Sequence, residues 1–193
     1  GDVYLFKRPI AELIEALTSM GASIIQKDNK IIINRGVILG KELNFKSIQT
    51  SQFISSLLLV GPYVKNGIKL NFSENMYSKL YIDMTVSLME QCGAELIVNH
   101  NSIHVFSRGY KKNISLIESD WTSLSHLLLA FLFSSFNKIE ITSLYENSLQ
   151  GDIVILEFFS FFGIKSNFSD DKLICKKIDK YELPKKIEWD FHN

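Results

Sequence analysis

Apolar residues along the chain follow helical spacing first and alternating spacing next, and this order occurs three times. Over residues 9–20 they recur three and four positions apart, which predicts a helix ending at Gly21. Alternating stretches on either side of residues 28–29 (Asp-Asn) predict a β-hairpin, because Asp and Asn favour tight turns. The same order of helix, glycine, strand, polar turn and strand returns 72 and then 70 residues later, at Gly93 and Gly163.

A second pair of stretches repeats with an offset of 71 residues. TSQFISSLLLVG, beginning at Thr50, aligns with WTSLSHLLLAFL, beginning at Trp121. Each predicts a helix followed by an alternating strand, at residues 68–72 and 138–142. One α/β module is therefore used more than once, with a period too long for a solenoid. Residue 192 corresponds to Thr50, so we expect the last copy to be cut short and the chain to be part of a longer protein.

The order of the predicted elements indicates the fold class. Helices and strands interleave along the whole chain, with further short strands predicted at 43–45, 113–117 and 187–191. Because each copy contains a hairpin, the sheets must be mixed rather than all parallel. Each unit is amphipathic and has to bury one face against a sibling unit. We therefore predict an incomplete α/β fold of repeated units, with mixed sheets packed around inner helices.

Composition and charge narrow the function classes. The chain has 46% hydrophobic and 22% charged residues, which is ordinary for a folded globular protein. Its 21 basic and 21 acidic residues cancel, so the chain as a whole lacks the excess of positive charge that is typical of nucleic-acid-binding proteins. The most apolar run, residues 124–136, is too short to span a bilayer and predicts a helix buried on most sides. With no signal-peptide pattern, we expect a cytoplasmic protein without nucleic-acid or membrane partners.

Common catalytic and metal-binding signatures are missing from the sequence. Cys92 and Cys175 lie far apart and fit no metal-ligand spacing, so we expect two buried free thiols in a reducing compartment. No nucleophile with a neighbouring base, carboxylate pair at helical spacing or Gly-rich phosphate loop stands out. Candidate chemistry is confined to polar residues at predicted helix starts.

The first candidate is Thr50-Ser51-Gln52, at the start of a predicted helix. One interpretation is an N-cap alone, which is enough to explain Thr or Ser at this place. The other is an anion site, because a helix amino end offers free N–H groups and partial positive charge, and neighbouring hydroxyls add donors. The aligned triplet at residues 121–123 shows that capping alone can produce such a pattern, so the sequence leaves both interpretations open.

Two further stretches precede predicted helices. Residues 78–81 (Ser-Lys-Leu-Tyr) hold three side chains that can donate to an anionic oxygen, although a solvated first turn also explains them. Residues 150–152 (Gln-Gly-Asp) fit a structural interpretation, with Asp152 as an N-cap. Glu118 and Asp120 likewise fit capping and helix-dipole charges.

Five ordered stretches resemble the 5-enolpyruvylshikimate-3-phosphate (EPSP) synthase family. They are RPIAELIEALTSMGA, TSQFISSLLLVGP, SKLYIDMTVSLMEQCGA, IESDWTSLSHLLLA and SLQGD, and they span nearly all 193 residues. The enolpyruvyl transferase of peptidoglycan synthesis shares the fold, but the Thr-Ser-Gln and Ser-Lys-x-Tyr motifs are more similar to EPSP synthases. The resemblance implies two lobes, each built from three β-α-β-α-β-β units in an inside-out α/β barrel.

The resemblance also implies an activity and a set of substrate-binding residues. The family transfers the enolpyruvyl group of phosphoenolpyruvate to the 5-hydroxyl of shikimate 3-phosphate by addition and elimination, without a metal or organic cofactor. By motif, Thr50 and Ser51 would hold the 3-phosphate, Gln52 would touch both substrates, Ser78 would bind the phosphate and Tyr81 would line the shikimate ring. None of these side chains is an acid–base catalyst; each would position substrate.

Departures from the family pattern leave an alternative open. Tyr4 stands where the family has an arginine that binds phosphoenolpyruvate, and the bulky Trp121 stands in the family's Glu-Gly-Asp-Ala-Ser-Ser motif. The family's Lys-Ser segment, catalytic aspartate and later lysine and arginines lie outside the chain, so we expect no catalysis within it. The alternative is a binding or scaffold domain that derives from the family and no longer catalyses.

Motif order predicts how the chain divides. The crossing between lobes falls near Ile117 and Glu118, so residues 1–117 would belong to the shikimate-3-phosphate-binding lobe and residues 118–193 to the second lobe. Incomplete lobes leave open sheet edges and apolar faces, so we expect self-association.

Overall fold

The computed structural model describes residues 9–27, 30–45, 51–72, 79–112, 117–170 and 172–189. The chain separates into two compact units, Gly1–Asn113 and Ile114–Asn193, which we call unit 1 and unit 2. The assignment of these units to two lobes divided after residue 117 stays a prediction.

Unit 1 is a mixed α/β unit, as the sequence predicts. Its described helices are α1 (Ala11–Ser19), α2 (Ser51–Val60) and α3 (Lys79–Gln91), and a 3₁₀ helix, Gly61–Tyr63, continues α2. Its described strands are β1 (Ser23–Lys27), β2 (Lys30–Asn34), β3 (Glu42–Phe45), β4 (Ile68–Phe72), β5 (Leu96–Asn99) and β6 (Ser102–Val105). β1 and β2 form an antiparallel pair, and the other strands form a sheet in the order β3-β4-β6-β5. In that sheet β3 runs parallel to β4, while β6 is antiparallel to both β4 and β5.

The core of unit 1 lies between its helices and the four-stranded sheet. α2 buries Ile54, Leu57 and Leu58 almost completely. β4 alternates, with the side chains of Ile68, Leu70 and Phe72 buried and the two between them half-buried. Each fully buried aliphatic side chain contributes about 1.5–3 kcal/mol, so this contact between helix and sheet determines where α2 sits.

Unit 2 repeats the plan with fewer strands. Its described elements are α4 (Trp121–Phe133), β7 (Lys138–Thr142), a 3₁₀ helix (Gly151–Val154), α5 (Ile155–Ser160), β8 (Ile164–Ser169) and β9 (Lys172–Lys177). β9 lies between β7 and β8 and is antiparallel to both. The predicted strand at 113–117 lies almost wholly outside the described residues. The strand predicted at 187–191 is wrong over its described part, since residues 187–189 form no strand.

The three helix–glycine–hairpin copies are confirmed. Gly21, Gly93 and Gly163 all adopt positive φ angles, of 105°, 79° and 77°, and each precedes an antiparallel pair of strands. After α1 and α3 the backbone bonds correspond position by position. The glycine N–H donates to the carbonyl three residues earlier, and the next alanine N–H donates to the carbonyl five residues earlier. This Schellman-type ending needs a left-handed residue, which glycine adopts without steric cost.

The apolar run of unit 2 is more exposed than its composition predicts. α4 buries one face through Trp121, Leu124, Leu128 and Phe131. Leu127, Leu129 and Phe133 on its other faces are 47–83% exposed, so the prediction of a helix buried on most sides is wrong. The described residues of unit 2 form a single sheet, and one sheet covers one face of the helix. Neither α4 nor any other helix in the described residues has the length and hydropathy needed to cross a membrane.

Asp120 caps α4, as the sequence predicts. Its carboxylate accepts hydrogen bonds from the backbone N–H of Thr122 and Ser123, at 3.2 and 3.1 Å, and from the Ser123 hydroxyl at 2.5 Å. The Ser123 hydroxyl bond is the main cause that lowers the pKa of the Asp120 carboxyl, and the two backbone bonds act in the same direction. The charged carboxylate therefore holds the amino end of α4.

We expect Gly21→Ala to destabilise unit 1 more than Gly93→Ala does. A Cβ at Gly21 would lie 2.5 Å from the backbone carbonyl oxygen of Val37, whereas one at Gly93 would meet the side chain of Lys111 at 3.0 Å. The left-handed backbone alone costs alanine about 1–2 kcal/mol, and a backbone clash adds to this cost. Urea unfolding followed by circular dichroism should show the larger loss for Gly21→Ala; equal losses would contradict the prediction.

Asp120→Asn should remove a pH-dependent part of the stability of unit 2. Because the folded pKa of Asp120 is depressed, its stabilisation is complete above the unfolded pKa and is lost as the pH falls through the folded value, below about pH 4. The melting temperature should therefore differ between wild type and Asp120→Asn at pH 7, and the difference should shrink towards pH 2. A difference in melting temperature that stays the same from pH 7 to pH 2 would contradict the prediction.

Candidate functional site

The amino ends of α2 and α3 lie at the same edge of the four-stranded sheet of unit 1. β3 and β4 are parallel, and α2 connects them, so α2 runs back across the sheet. β5 is also parallel to β4, since both are antiparallel to β6, and α3 connects β4 to β5. Both helices therefore begin beside the carboxyl ends of β3 and β4, the edge at which open α/β sheets bind ligands.

A hydrogen bond between α2 and α3 sets how far one helix is displaced along its axis relative to the other. The hydroxyl oxygens of Ser55 on α2 and Thr85 on α3 are 2.9 Å apart. Thr85 donates its hydroxyl hydrogen to the carbonyl oxygen of Tyr81 at 2.7 Å, so Ser55 must be the donor to Thr85. Ser51 and Tyr81 precede these residues by four positions, which places each about 6 Å, slightly more than one turn, nearer the amino end of its helix. The bonded pair thus brings Ser51 and Tyr81 to the same level.

The structure describes three of the predicted site residues, two at the start of α2 and one near the start of α3. Ser51 is only 7% exposed, Tyr81 is 48% exposed, and Gln52 is exposed. That these side chains share one substrate site stays a prediction. Thr50 and Ser78 lie outside the described residues, directly before α2 and before α3.

The electrostatics of the first turns distinguish α2 from its counterpart α4. Neither α2 nor α3 has an acidic residue in its first turn. At α4 the Asp120 carboxylate already accepts bonds from two of the free N–H groups. The Asp120 carboxylate therefore occupies the amino end of α4, whereas the described first turns of α2 and α3 contain no acidic residue. The aligned triplets at residues 50–52 and 121–123 therefore differ in the charge at the helix start that each belongs to.

A hydrogen-bond network around Glu118 explains Trp121, which the sequence left unexplained. The indole N–H of Trp121 donates to the Glu118 carboxylate at 2.7 Å, and the indole is fully buried. Three further donors reach this carboxylate: the Ser148 hydroxyl at 2.7 Å, the Gln150 side-chain amide at 3.1 Å and the Tyr145 N–H at 3.2 Å. Glu118 is therefore an acceptor at the centre of this network rather than a capping charge. A buried Trp followed by Ser and Gln some thirty residues later gave no recognisable signal in the sequence.

The side chain of Gln150 makes hydrogen bonds that the structural interpretation of residues 150–152 did not predict. Its side chain accepts from the Trp121 N–H at 3.0 Å and donates to the Ser119 carbonyl at 2.9 Å. Gln150 also occupies the cap position of the helix that follows, without a side-chain capping bond. The expectation that Asp152 is the N-cap is therefore wrong, because Asp152 lies inside the first turn. Within the stretch 150–152, it is Gln150 that binds the backbone at the start of α4.

Other parts of the described chain suit an anionic substrate less well. An open groove of about 520 Å³ between α1 and β3 is lined by Glu12, Glu15 and Glu42 against a single lysine, Lys41. Three carboxylates in one groove repel phosphates and carboxylates. No group of three or more His, Cys, Asp or Glu in the described residues could hold a metal ion. Cys175 is buried and Cys92 is half-buried, and both are free thiols.

Comparison with known proteins assigns this architecture to a family. The sequence model of EPSP synthase (3-phosphoshikimate 1-carboxyvinyltransferase) matches residues 1–184. The chain is 31% identical over 182 residues to the 3-phosphoshikimate 1-carboxyvinyltransferase of Methanosphaera stadtmanae, covering 90% of this chain and 42% of the relative. It is 32% identical to that of Bacteroides fragilis strain YCH46, covering 92% and 44%. The chain thus spans less than half the length of these curated relatives.

Solved structures agree at the level of the fold. The EPSP synthase of Acinetobacter baumannii aligns with a TM-score of 0.59 at 18% identity, over 92% of this chain and 41% of that one. The enolpyruvyl transferase NikO of Streptomyces tendae aligns with a TM-score of 0.61 at 10% identity, over 90% and 43%. The predicted fold class, with mixed sheets and repeated units, is confirmed, and the described strands form open sheets without closing a barrel. By sequence and by fold, this chain belongs to the EPSP synthase family.

Proposed function

We propose that this chain is the part of an EPSP synthase that holds shikimate 3-phosphate while the enolpyruvyl group of phosphoenolpyruvate is transferred to the 5-hydroxyl. The observation that carries the proposal is the pair of adjacent helix amino ends at one sheet edge, neither with an acidic residue in its first turn. A phosphate dianion there meets two partial positive charges of about half an elementary charge each.

Each predicted site residue that the structure describes has a proposed role suited to its exposure. The buried hydroxyl of Ser51, with Thr50 and backbone N–H groups of the first turn of α2, would hold the 3-phosphate. Ser78, before α3, would bind the same phosphate, and Tyr81 would lie along the shikimate ring. Gln52 is exposed and would reach both shikimate 3-phosphate and phosphoenolpyruvate. The fixed height of Ser51 and Tyr81 supports this division, because a phosphate and its ring need donors at one level.

These groups position substrate and do not move protons. Hydroxyls, an amide and backbone N–H groups satisfy the charge of a phosphate without titrating near neutral pH. Proton transfer, which the addition and elimination both require, would have to come from side chains elsewhere in a longer protein of this family. We therefore propose that the chain contributes binding and orientation without a metal or organic cofactor. The family's soluble biosynthetic role also favours a cytoplasmic location.

The departure at Tyr4 supports a second candidate function. A family arginine that binds phosphoenolpyruvate is replaced there by an uncharged phenol, which favours a domain that binds without catalysing. Trp121 no longer favours this alternative, because its indole fills the core of unit 2 and donates to Glu118. Phosphoenolpyruvate binding distinguishes the candidates: the catalytic part should bind it in the presence of shikimate 3-phosphate, and a purely phosphate-binding domain should not.

Ser51→Ala should weaken binding of shikimate 3-phosphate about tenfold, because one hydrogen bond to a charged oxygen is lost from a buried donor. A nitrogen-15 NMR titration of the whole chain should shift amide signals at the start of α2 and of α3 and give the dissociation constants. Thr122→Ala is the matched control at the aligned position of α4 and should leave the affinity unchanged. Shifts confined to other regions, or equal affinity of wild type and Ser51→Ala, would contradict the proposed site.

The chain alone should release no inorganic phosphate from phosphoenolpyruvate when both substrates are present. Its expected site residues lack an acid–base catalyst, so the addition step has no proton donor. A colorimetric phosphate assay with a complete EPSP synthase as positive control measures this directly. Turnover at a rate comparable with the complete enzyme would show that the chain contains catalytic groups not recognised here.

A further inference from the structure

The contact between α2 and α3 includes a buried hydroxyl. Thr85 on α3 is only 7% exposed, and in the described part of the chain Ser51 is the only other buried residue with a hydroxyl side chain. Ile82 and Met89, one turn before and one turn after Thr85, belong to the apolar core of unit 1. A hydroxyl in such surroundings must be hydrogen-bonded, and an apolar side chain of similar shape would be about as stable there. Stability alone therefore does not explain a threonine at this position.

The sibling helices show what the repeated fold requires at this position. Counting back eight residues from the positive-φ glycine after each helix gives Thr85 on α3, Leu13 on α1 and Ile155 on α5. Leu13 and Ile155 pack against the apolar cores of their own units. Ser55 on α2 aligns with His126 on α4, and His126 cannot make the corresponding bond because Ile155 has no polar side-chain group. The bond between Ser55 and Thr85 is therefore an addition of unit 1 to the common plan.

The two hydrogen bonds of Thr85 link α2 to α3 one turn away from the candidate site. Its hydroxyl accepts from Ser55 at 2.9 Å and donates to the carbonyl oxygen of Tyr81 at 2.7 Å. Ser55 lies one turn after Ser51, so both partners of Thr85 lead along their helices to predicted substrate-binding residues. Apolar contacts are non-directional, whereas a hydrogen bond fixes both distance and direction. The pair therefore fixes the displacement of α2 along α3 more tightly than apolar packing alone would.

We propose that Ser55 and Thr85 are positioning residues that align the start of α2 with the start of α3 for substrate. The inference rests on the proposed function, in which shikimate 3-phosphate places its phosphate at Ser51 and its ring along Tyr81. A ligand whose two parts are rigidly connected satisfies both helices at only one displacement. Inorganic phosphate has no second part and settles on whichever donors are in reach. The pair therefore favours a phosphorylated ring over phosphate alone.

Two variants that remove the bond between the helices test the proposal. Thr85→Val and Ser55→Ala should each weaken binding of shikimate 3-phosphate about tenfold, measured by nitrogen-15 NMR titration of the whole chain. The affinity for inorganic phosphate should change by less than about twofold, because phosphate alone adjusts to the displaced helices. The double variant should bind no more weakly than either single variant, because both changes remove the same bond. Thr85→Ser keeps the hydroxyl and should restore the wild-type affinity.

Ser56→Ala is the matched control. Ser56 follows Ser55 on α2, and its hydroxyl donates at 2.7 Å to the carbonyl oxygen of Gln52 in the same helix. Its replacement removes a hydroxyl from α2 and leaves the bond to α3 in place, so both affinities should stay as in wild type. Thr85→Val should fold, since Leu13 and Ile155 show that the repeated unit accepts an aliphatic residue at this position, and circular dichroism verifies this.

The ratio of the two affinities separates positioning from a purely structural role. Variants that melt at lower temperature but keep the wild-type ratio would overturn the proposal, as would a Thr85→Ser variant that binds as weakly as Thr85→Val. If wild type binds shikimate 3-phosphate and the variants bind it equally well, the positioning role alone is wrong. If wild type does not bind it at all, the proposed function fails and the positioning role fails with it.

Discussion

The parallel pairing of β3 with β4 is the constraint on which the candidate site depends. Parallel neighbours require a helix that returns across the sheet, so α2 and α3 both begin at the edge where β3 and β4 end. Burial of Ile54, Leu57 and Leu58 then presses α2 onto that sheet. Without this pairing the two helix amino ends would point to different sides, and two partial positive charges could not act on one phosphate.

Copies of one folding unit have diverged at a few polar positions while keeping their apolar pattern. α2 aligns with residues 122–131 of α4, yet Asp120 fills the amino end of α4 and no acidic residue occupies the first turn of α2. The Glu118 network adds a second set of structural bonds before α4, all of them internal to unit 2. The copy that contains α4 thus uses its polar residues for its own stability, whereas the described first turn of α2 has no acidic residue. Among the described residues β2 pairs only with β1, whereas its counterparts β6 and β9 are paired on both sides.

Much of the fold could be predicted because local rules decide it. Gly21, Gly93 and Gly163 were recognisable as helix ends, since only glycine takes the left-handed backbone cheaply, and all three are confirmed. The burial of α4 was not predictable from its composition, because it depends on how many sheets cover the helix. Trp121 was unexplained because its hydrogen-bond partners are brought together only by the fold: Glu118 precedes β7 in the sequence and Gln150 follows it. Asp152 was expected to be the N-cap, but Gln150 occupies that position, because capping depends on which residue takes the non-helical backbone.

The sequence by itself determined the repeated α/β unit and the family, because periodicity, turn residues and motifs are local properties; the residues that would bind substrate stay a prediction from motifs. Tertiary structure decided that Ser51 and Tyr81 lie at one level, through the hydrogen bond from Ser55 to Thr85, and that α4 is closed by Asp120. It also decided that β6 and β9 are each paired on both sides while β2, among the described residues, pairs only with β1, since strand pairing joins residues far apart in the chain. Contacts between distant residues depend on how the units pack, and no local pattern encodes that packing.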